Sequence, residues 1–179
     1  MKVFIAGPRA INELNEKVCQ KLENICSKNY DILVGDAYGV DSCVQMFLSN
    51  RKYKNVTVFV SGKSARNNYG NWVIKKIFVD SGISGFDFYA KKDLDMAKNA
   101  DIGFMVWNGK SKGTFNNIIN LLKMNKEVVL YYVLTNNFYD FKNLNEFNDF
   151  LNKNIKLNSN LKKLMPKIDS NKFVQVGLF

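Results

Sequence analysis

The sequence predicts a three-layer α/β sandwich on a mostly parallel sheet, followed by a C-terminal helical or irregular extension. Three observations carry this. Apolar runs of strand length recur between Lys2 and Val133, segments of helical period separate most of them, and glycine-containing turns follow several of the runs. Strands alternating with helices at this spacing imply parallel neighbours, right-handed crossovers and helices on both faces. A chain of 179 residues is one domain by the usual length prior. At 46% hydrophobic it has the composition of a globular protein. The sheet domain is expected over 1–134, with 135–179 packing on the same domain or on another subunit.

The elements follow in order. Lys2 to Ala6 reads as the first strand, and Gly7-Pro8-Arg9 as its turn. A helix is expected from about Asn12 to Lys28, because Leu14, Val18, Leu22 and Ile25 share one side. Ile32, Leu33 and Val34 form a buried-strand run, stopped by Gly35. GDAYGVD then leads into a helix ending near Asn50. Val56 to Val60 is the third strand, and a polar loop occupies Ser61 to Gly70. Trp72 to Val79 fits either a helix or irregular chain. Phe86 to Tyr89 reads as a short strand, and Lys91 to Asn99 as a short helix. Ile102 to Trp107 is a strand, Asn108 to Gly113 a loop, Thr114 to Met124 a helix and Val128 to Val133 a strand. Beyond Leu134, the mixed three and four spacing of Phe138, Phe141, Leu144, Phe147 and Leu151 suggests a docking helix.

Composition excludes several function classes. There is no histidine, which removes Ser–His–Asp and Cys–His catalysis and every imidazole-dependent metal site. No metal and no cofactor is expected. Cys19, Cys26 and Cys43 are odd in number and sit at apolar helical positions, as reduced thiols of a cytoplasmic protein would. No apolar run approaches the roughly 18 residues of a membrane span, and Met1 leads almost directly into a strand, so neither membrane contact nor a signal peptide is expected. The formal charge is +10, but its lysines are scattered, and a nucleic-acid partner is read as unlikely on that ground. Only three of the 26 basic residues are arginines. Arg9 and Arg66 lie in loops, where a bidentate fork suits phosphate or carboxylate.

Three post-strand loops therefore converge at one end of the sheet. The first holds Gly7, Pro8 and Arg9; the second holds Gly35, Asp36, Gly39 and Asp41. The third, Asn108 to Thr114, places Ser111, Gly113 and Thr114 where a helix opens. Free N–H groups at such a helix start attract anions. The simpler readings are that Asp41 caps one helix, and Ser111 or Thr114 the other. The third loop is not a Walker A sequence, and the glycine fingerprint of dinucleotide-binding proteins is missing too.

Taken together, KVFIAGPR, VGDAYGVDSCVQ, the ARNN loop and KKDLDMAKNADIGFMVWNGKSKGTFNNI resemble the SLOG superfamily. That superfamily comprises the Smf/DprA and lonely-guy related proteins, and the likeness is to its small stand-alone bacterial and phage members. It covers roughly Lys2 to Val133. The resemblance implies a Rossmann-like fold over 1–134 and a pocket for a nucleotide or a nucleotide-derived, ADP-ribose-like ligand. It implicates Gly7, Arg9, Gly35, Asp36, Gly39, Asp41, Ser111, Gly113 and Thr114, with Arg66, Asn67, Lys92 and Asp93 at the rim. The phosphoribohydrolase branch carries PGGxGTxxE, whereas KSKGTFNN stands here and Asn117 takes the glutamate's place. An amide is neither a general base nor a glycosyl nucleophile. Either hydrolysis is absent or Asp36, Asp41 or Asp93 performs it.

The first expectation is thus a ligand-capturing or sensing protein, expected to form a homo-oligomer. The second is an enzyme that hydrolyses or transfers at an N-glycosidic bond, like the phosphoribohydrolases or nucleoside deoxyribosyltransferases, through Asp36 or Asp41. The third is DprA-like nucleic-acid binding. Trp107, Tyr38 and Tyr69 are candidates to stack on a base, with core packing as the competing role of Trp107.

Overall fold

The structure, a computed structural model, describes residues 1–165. It contains β1 (Lys2–Ala6), α1 (Glu16–Ser27), β2 (Asp31–Gly35), α2 (Val40–Asn50), β3 (Val56–Ser61), β4 (Val73–Ile77) and α3 (Gly85–Asn99). Then come β5 (Ile102–Trp107), α4 (Lys112–Lys123), β6 (Val128–Tyr132), β7 (Asn137–Phe141), α5 (Leu144–Asn154) and α6 (Leu161–Leu164). The strands form one sheet in the order β4-β3-β2-β1-β5-β6-β7. Every pairing is parallel except β6 with β7. No helix among the described residues is long and apolar enough to cross a membrane.

The period-two alternation of a strand divides the core into two layers. Val3 and Ile5 of β1 pack with Val18, Leu22, Val44 and Leu48 from α1 and α2. Phe4 and Ala6 face the other way, into a layer with Met96, Trp107, Phe115 and Ile118 from α3, β5 and α4. β1 is thus buried on both faces, which is why it reads as an unbroken apolar run.

Three segments depart from the sequence expectation. Trp72 to Val79 contains an edge strand, β4, whose Val73 and Ile74 stay exposed. Because one edge of β4 pairs with nothing among the described residues, little apolar patterning marks it. Phe86 to Tyr89 is not a strand but the start of α3, a 15-residue helix. Its aromatic residues favour strands locally, yet the crossover from β4 to β5 needs one continuous helix, and tertiary context overrides propensity. The docking helix begins only at Leu144; Phe138 and Phe141 belong to β7, paired antiparallel with β6. Burial of Phe147, Phe150 and Leu151 against Trp107 and Tyr132 anchors α5 to the sheet, at about 1.5–3 kcal/mol per large side chain. Residues 166–179 of the expected extension lie outside the described residues.

Candidate functional site

The chain leaves β1 on one side of the sheet and β5 on the other, so the loops after these neighbouring strands part and open a crevice at their carboxyl ends. A cavity of about 1240 Å³ occupies it. Its walls are the Gly7–Ala10 loop, Asp41 of α2, the first turns of α3 and the start of α4.

Gly39 holds the first two loops together. Its φ is 84°, and a Cβ there would lie 2.5 Å from both Arg9 Cα and Pro8 O. Only glycine meets both demands. With the backbones this close, the Val40 amide donates to Pro8 O at 3.2 Å. Gly7 is equally confined: a Cβ would approach Val40 Cγ2 to 2.6 Å. Arg9, by contrast, is exposed, and its guanidinium has no hydrogen bond or ion pair among the described residues. It lies 4.7 Å from the centre of the Tyr89 ring.

Arg66 sits differently from the fork expected to meet a ligand. Its Nε and Nη2 donate to Asp36 Oδ2 and Oδ1 at 3.0 and 2.7 Å, and its backbone N–H adds a third bond at 3.1 Å. Asp36 is 2% exposed. Burial pushes its carboxyl up, but the hydrogen bonds and charge of Arg66 outweigh that and hold it below the ordinary carboxylate value. Asn67 donates to Asp36 O at 2.9 Å, and fully buried Gln45 donates to the carbonyls of Gly35 and Asn67. Gly35, Asp36, Gly39, Arg66 and Asn67 therefore brace the loops from outside the cavity wall. No motif singled out Gln45, because its role exists only once residues 35 and 67 meet.

The cavity floor carries charge. Lys92 is 4% exposed and donates to Asp93 at 2.7 Å, and Asn117 donates to the other Asp93 oxygen at 3.4 Å. Burial opposes the Lys92 charge, yet Asp93 and Asp41 raise its pKa above the ordinary lysine value. Asp41 Oδ2 accepts the Ala37 amide at 3.3 Å. Burial pushes its carboxyl up to about 6; Lys92 opposes this, while Asp93 and Asp36 add to it. The Asp41 and Lys92 side chains fill the space above Gly35, where a Cβ would lie 2.3 Å from Asp41 Oδ2 and 2.8 Å from Lys92 Nζ.

At the third loop Asn108 Oδ1 accepts the amides of Lys110 and Ser111, both at 3.0 Å. Ser111 Oγ caps α4 by accepting the Thr114 amide at 3.3 Å and the Thr114 hydroxyl at 3.0 Å. Among the described residues, the amides of Lys112 and Gly113 have no side-chain acceptor, and none of them lies within 4 Å of the Cβ position of Gly113. Trp107 is fully buried among Phe115, Tyr132 and Phe147, and its Nε1 donates to Ser111 O at 3.0 Å, so it belongs to the core and sets the loop.

Ten of the sequence candidates line the cavity together: Gly7, Pro8, Arg9, Asp41, Lys92, Asp93, Ser111, Gly113, Thr114 and Asn117. Tyr38 does not, and Tyr69 borders a separate groove of about 210 Å³. Tyr89 and the segment Gly82–Asp87 do line it; the sequence reading has Phe86 to Tyr89 as a strand and assigns no element or role to residues 82–85.

No family model and no curated protein matches the sequence. Among solved structures, the chain is similar to DNA processing protein A (DprA) from Helicobacter pylori, a structure described for its single-stranded DNA binding mode. The TM-score is 0.56 at 15% identity, over 73% of this chain and 64% of that one. The match thus spans less than two thirds of the DprA chain. At this level the two share a fold, the Rossmann-like α/β architecture that the motifs led one to expect.

Proposed function

We propose that this chain captures a nucleotide or nucleotide-derived, ADP-ribose-like ligand in the crevice between β1 and β5, as a sensor or binding protein. One observation supports this above the others. A single cavity is lined by Arg9 with its open guanidinium, by Gly113 at the start of α4 and by Asp41 with its carboxyl. The first two suit phosphate, and the third suits a hydroxyl or amino group on the same molecule. Asn117 favours capture over cleavage, since it meets the cavity as an amide that donates to Asp93 and has no basic function. An N-glycosidic hydrolase or transferase using Asp41 is the enzymatic alternative.

Incubation with a nucleotide panel followed by mass spectrometry tests the reading. Unchanged nucleotide retained by the protein supports capture. Release of free base and a ribose phosphate moves the assignment to hydrolysis. A second reading, single-stranded DNA binding, is supported by the structural likeness to DprA, which weighs against the expectation drawn from the scattered lysines that a nucleic-acid partner is unlikely. Tight binding to single-stranded DNA that weakens steeply with salt, without retention of any nucleotide, would establish it in place of the first.

A further inference from the structure

Asp36 follows β2 directly and Asp41 lies in the first turn of α2, but only one has an oxygen to offer a ligand. Both oxygens of Asp36 accept from Arg66, and its side chain lies behind the cavity wall. Asp41 is 6% exposed and lines the cavity. Its Oδ2 takes the Ala37 amide, while its Oδ1 has no hydrogen-bond partner among the described residues. Asp41 Oδ1 is not among the oxygens sealed from solvent, so it is open to the cavity, and an occupant that displaces the water there must supply a donor in its place. The charges facing Asp41 are Lys92 and Asp93 of α3 and Asp36 at the end of β2. Lys92 is already bound to Asp93 and forms no ion pair with Asp41. Phosphate is excluded at this point, because a second anion against Asp41 would be repelled. The anion-binding groups, Arg9 and the Gly113 amide, lie in other walls of the same cavity. The geometry therefore asks for one molecule with an anionic group and, apart from it, a hydroxyl or amino donor.

We infer that Asp41 Oδ1 accepts a hydrogen bond from a ribose hydroxyl, making Asp41 the residue that selects ribonucleotides over deoxyribonucleotides. This rests on the nucleotide-binding reading above and names the ligand class within it. It also separates that reading from DNA binding, since DNA lacks the 2′-hydroxyl.

The probes are AMP, 2′-deoxy-AMP and 3′-deoxy-AMP, titrated into the full chain by calorimetry. The wild type is expected to bind AMP about ten- to a hundredfold more tightly than at least one deoxy analogue, the usual worth of a hydrogen bond to a charged group. Asp41→Ala loses that preference. Asp41→Asn, closest in shape, keeps the fold and reduces it. Because burial raises the Asp41 carboxyl to about 6, the wild-type ratio of affinities falls as pH drops below 6. The ratio cancels the titration of the phosphate itself, and in Asp41→Asn it is flat. A wild type that binds all three probes equally overturns the inference but leaves nucleotide binding standing. Failure to bind any of them overturns both.

Discussion

Replacing Arg66 by glutamine is the sharpest test of the bracing role assigned to this residue. Asp36 is 2% exposed and Arg66 supplies both side-chain partners of its carboxylate. Removing one member of a buried ion pair leaves an uncompensated charge and costs about 3–5 kcal/mol. The Arg66 side chain is 27% exposed, so water partly screens the pair and about 3 kcal/mol, the lower end, applies. For a domain of this size the loss lowers Tm by roughly 6–12 °C. Adding Asp36→Asn removes the stranded charge while its amide oxygen still accepts the Arg66 position's backbone N–H, so the double variant recovers most of the loss. The sign with pH follows from the lowered pKa of Asp36. Its contribution is present above the ordinary carboxylate range and is lost as pH falls through the folded-state value. The difference between wild type and Arg66→Gln, measured by urea denaturation, therefore shrinks in acid. A single variant within about 0.5 kcal/mol of wild type, or a double variant no better than the single, would refute the reasoning.

Three further outcomes are expected. Gly35→Ala pushes a methyl against Asp41 and Lys92, both buried, and destabilises by about 1–3 kcal/mol in urea; an unchanged midpoint would mean that the floor is not close-packed. Arg9→Lys keeps the fold, because the side chain is exposed, but weakens nucleotide affinity by tenfold or more in calorimetry, since a point charge replaces a planar fork. Undiminished affinity removes Arg9 from the site. Asp41, raised from 3.8 to about 6, stabilises the fold below about pH 4. It loses that contribution, about 3 kcal/mol, as pH rises through 6, so the Asp41→Asn stability profile lacks this descent. Parallel profiles for the two proteins would contradict the burial of this carboxyl.

The sequence by itself determined the sheet layering and the strand ends at which the cavity opens. Runs such as VFIA and ILVG are buried on both faces, and such strands announce themselves without partners. Gly39 was legible for a related reason: a glycine between a strand and a helix marks a backbone conformation or approach that a side chain forbids. Only the tertiary structure decided which polar residues face the cavity and which face one another. Asp36 and Arg66 stand 30 residues apart, and no local pattern shows that each satisfies the other. Asp41, five positions beyond Asp36 and in the first turn of α2, lines the crevice and has one oxygen with no hydrogen-bond partner among the described residues. The path of β4 and α3 was hidden for the opposite reason. An exposed edge strand carries little hydrophobic signal, and aromatic residues at a helix start have the local preferences of a strand. Periodicity records which face of an element meets the core; the pairing of charges across loops is set by where those elements end in space.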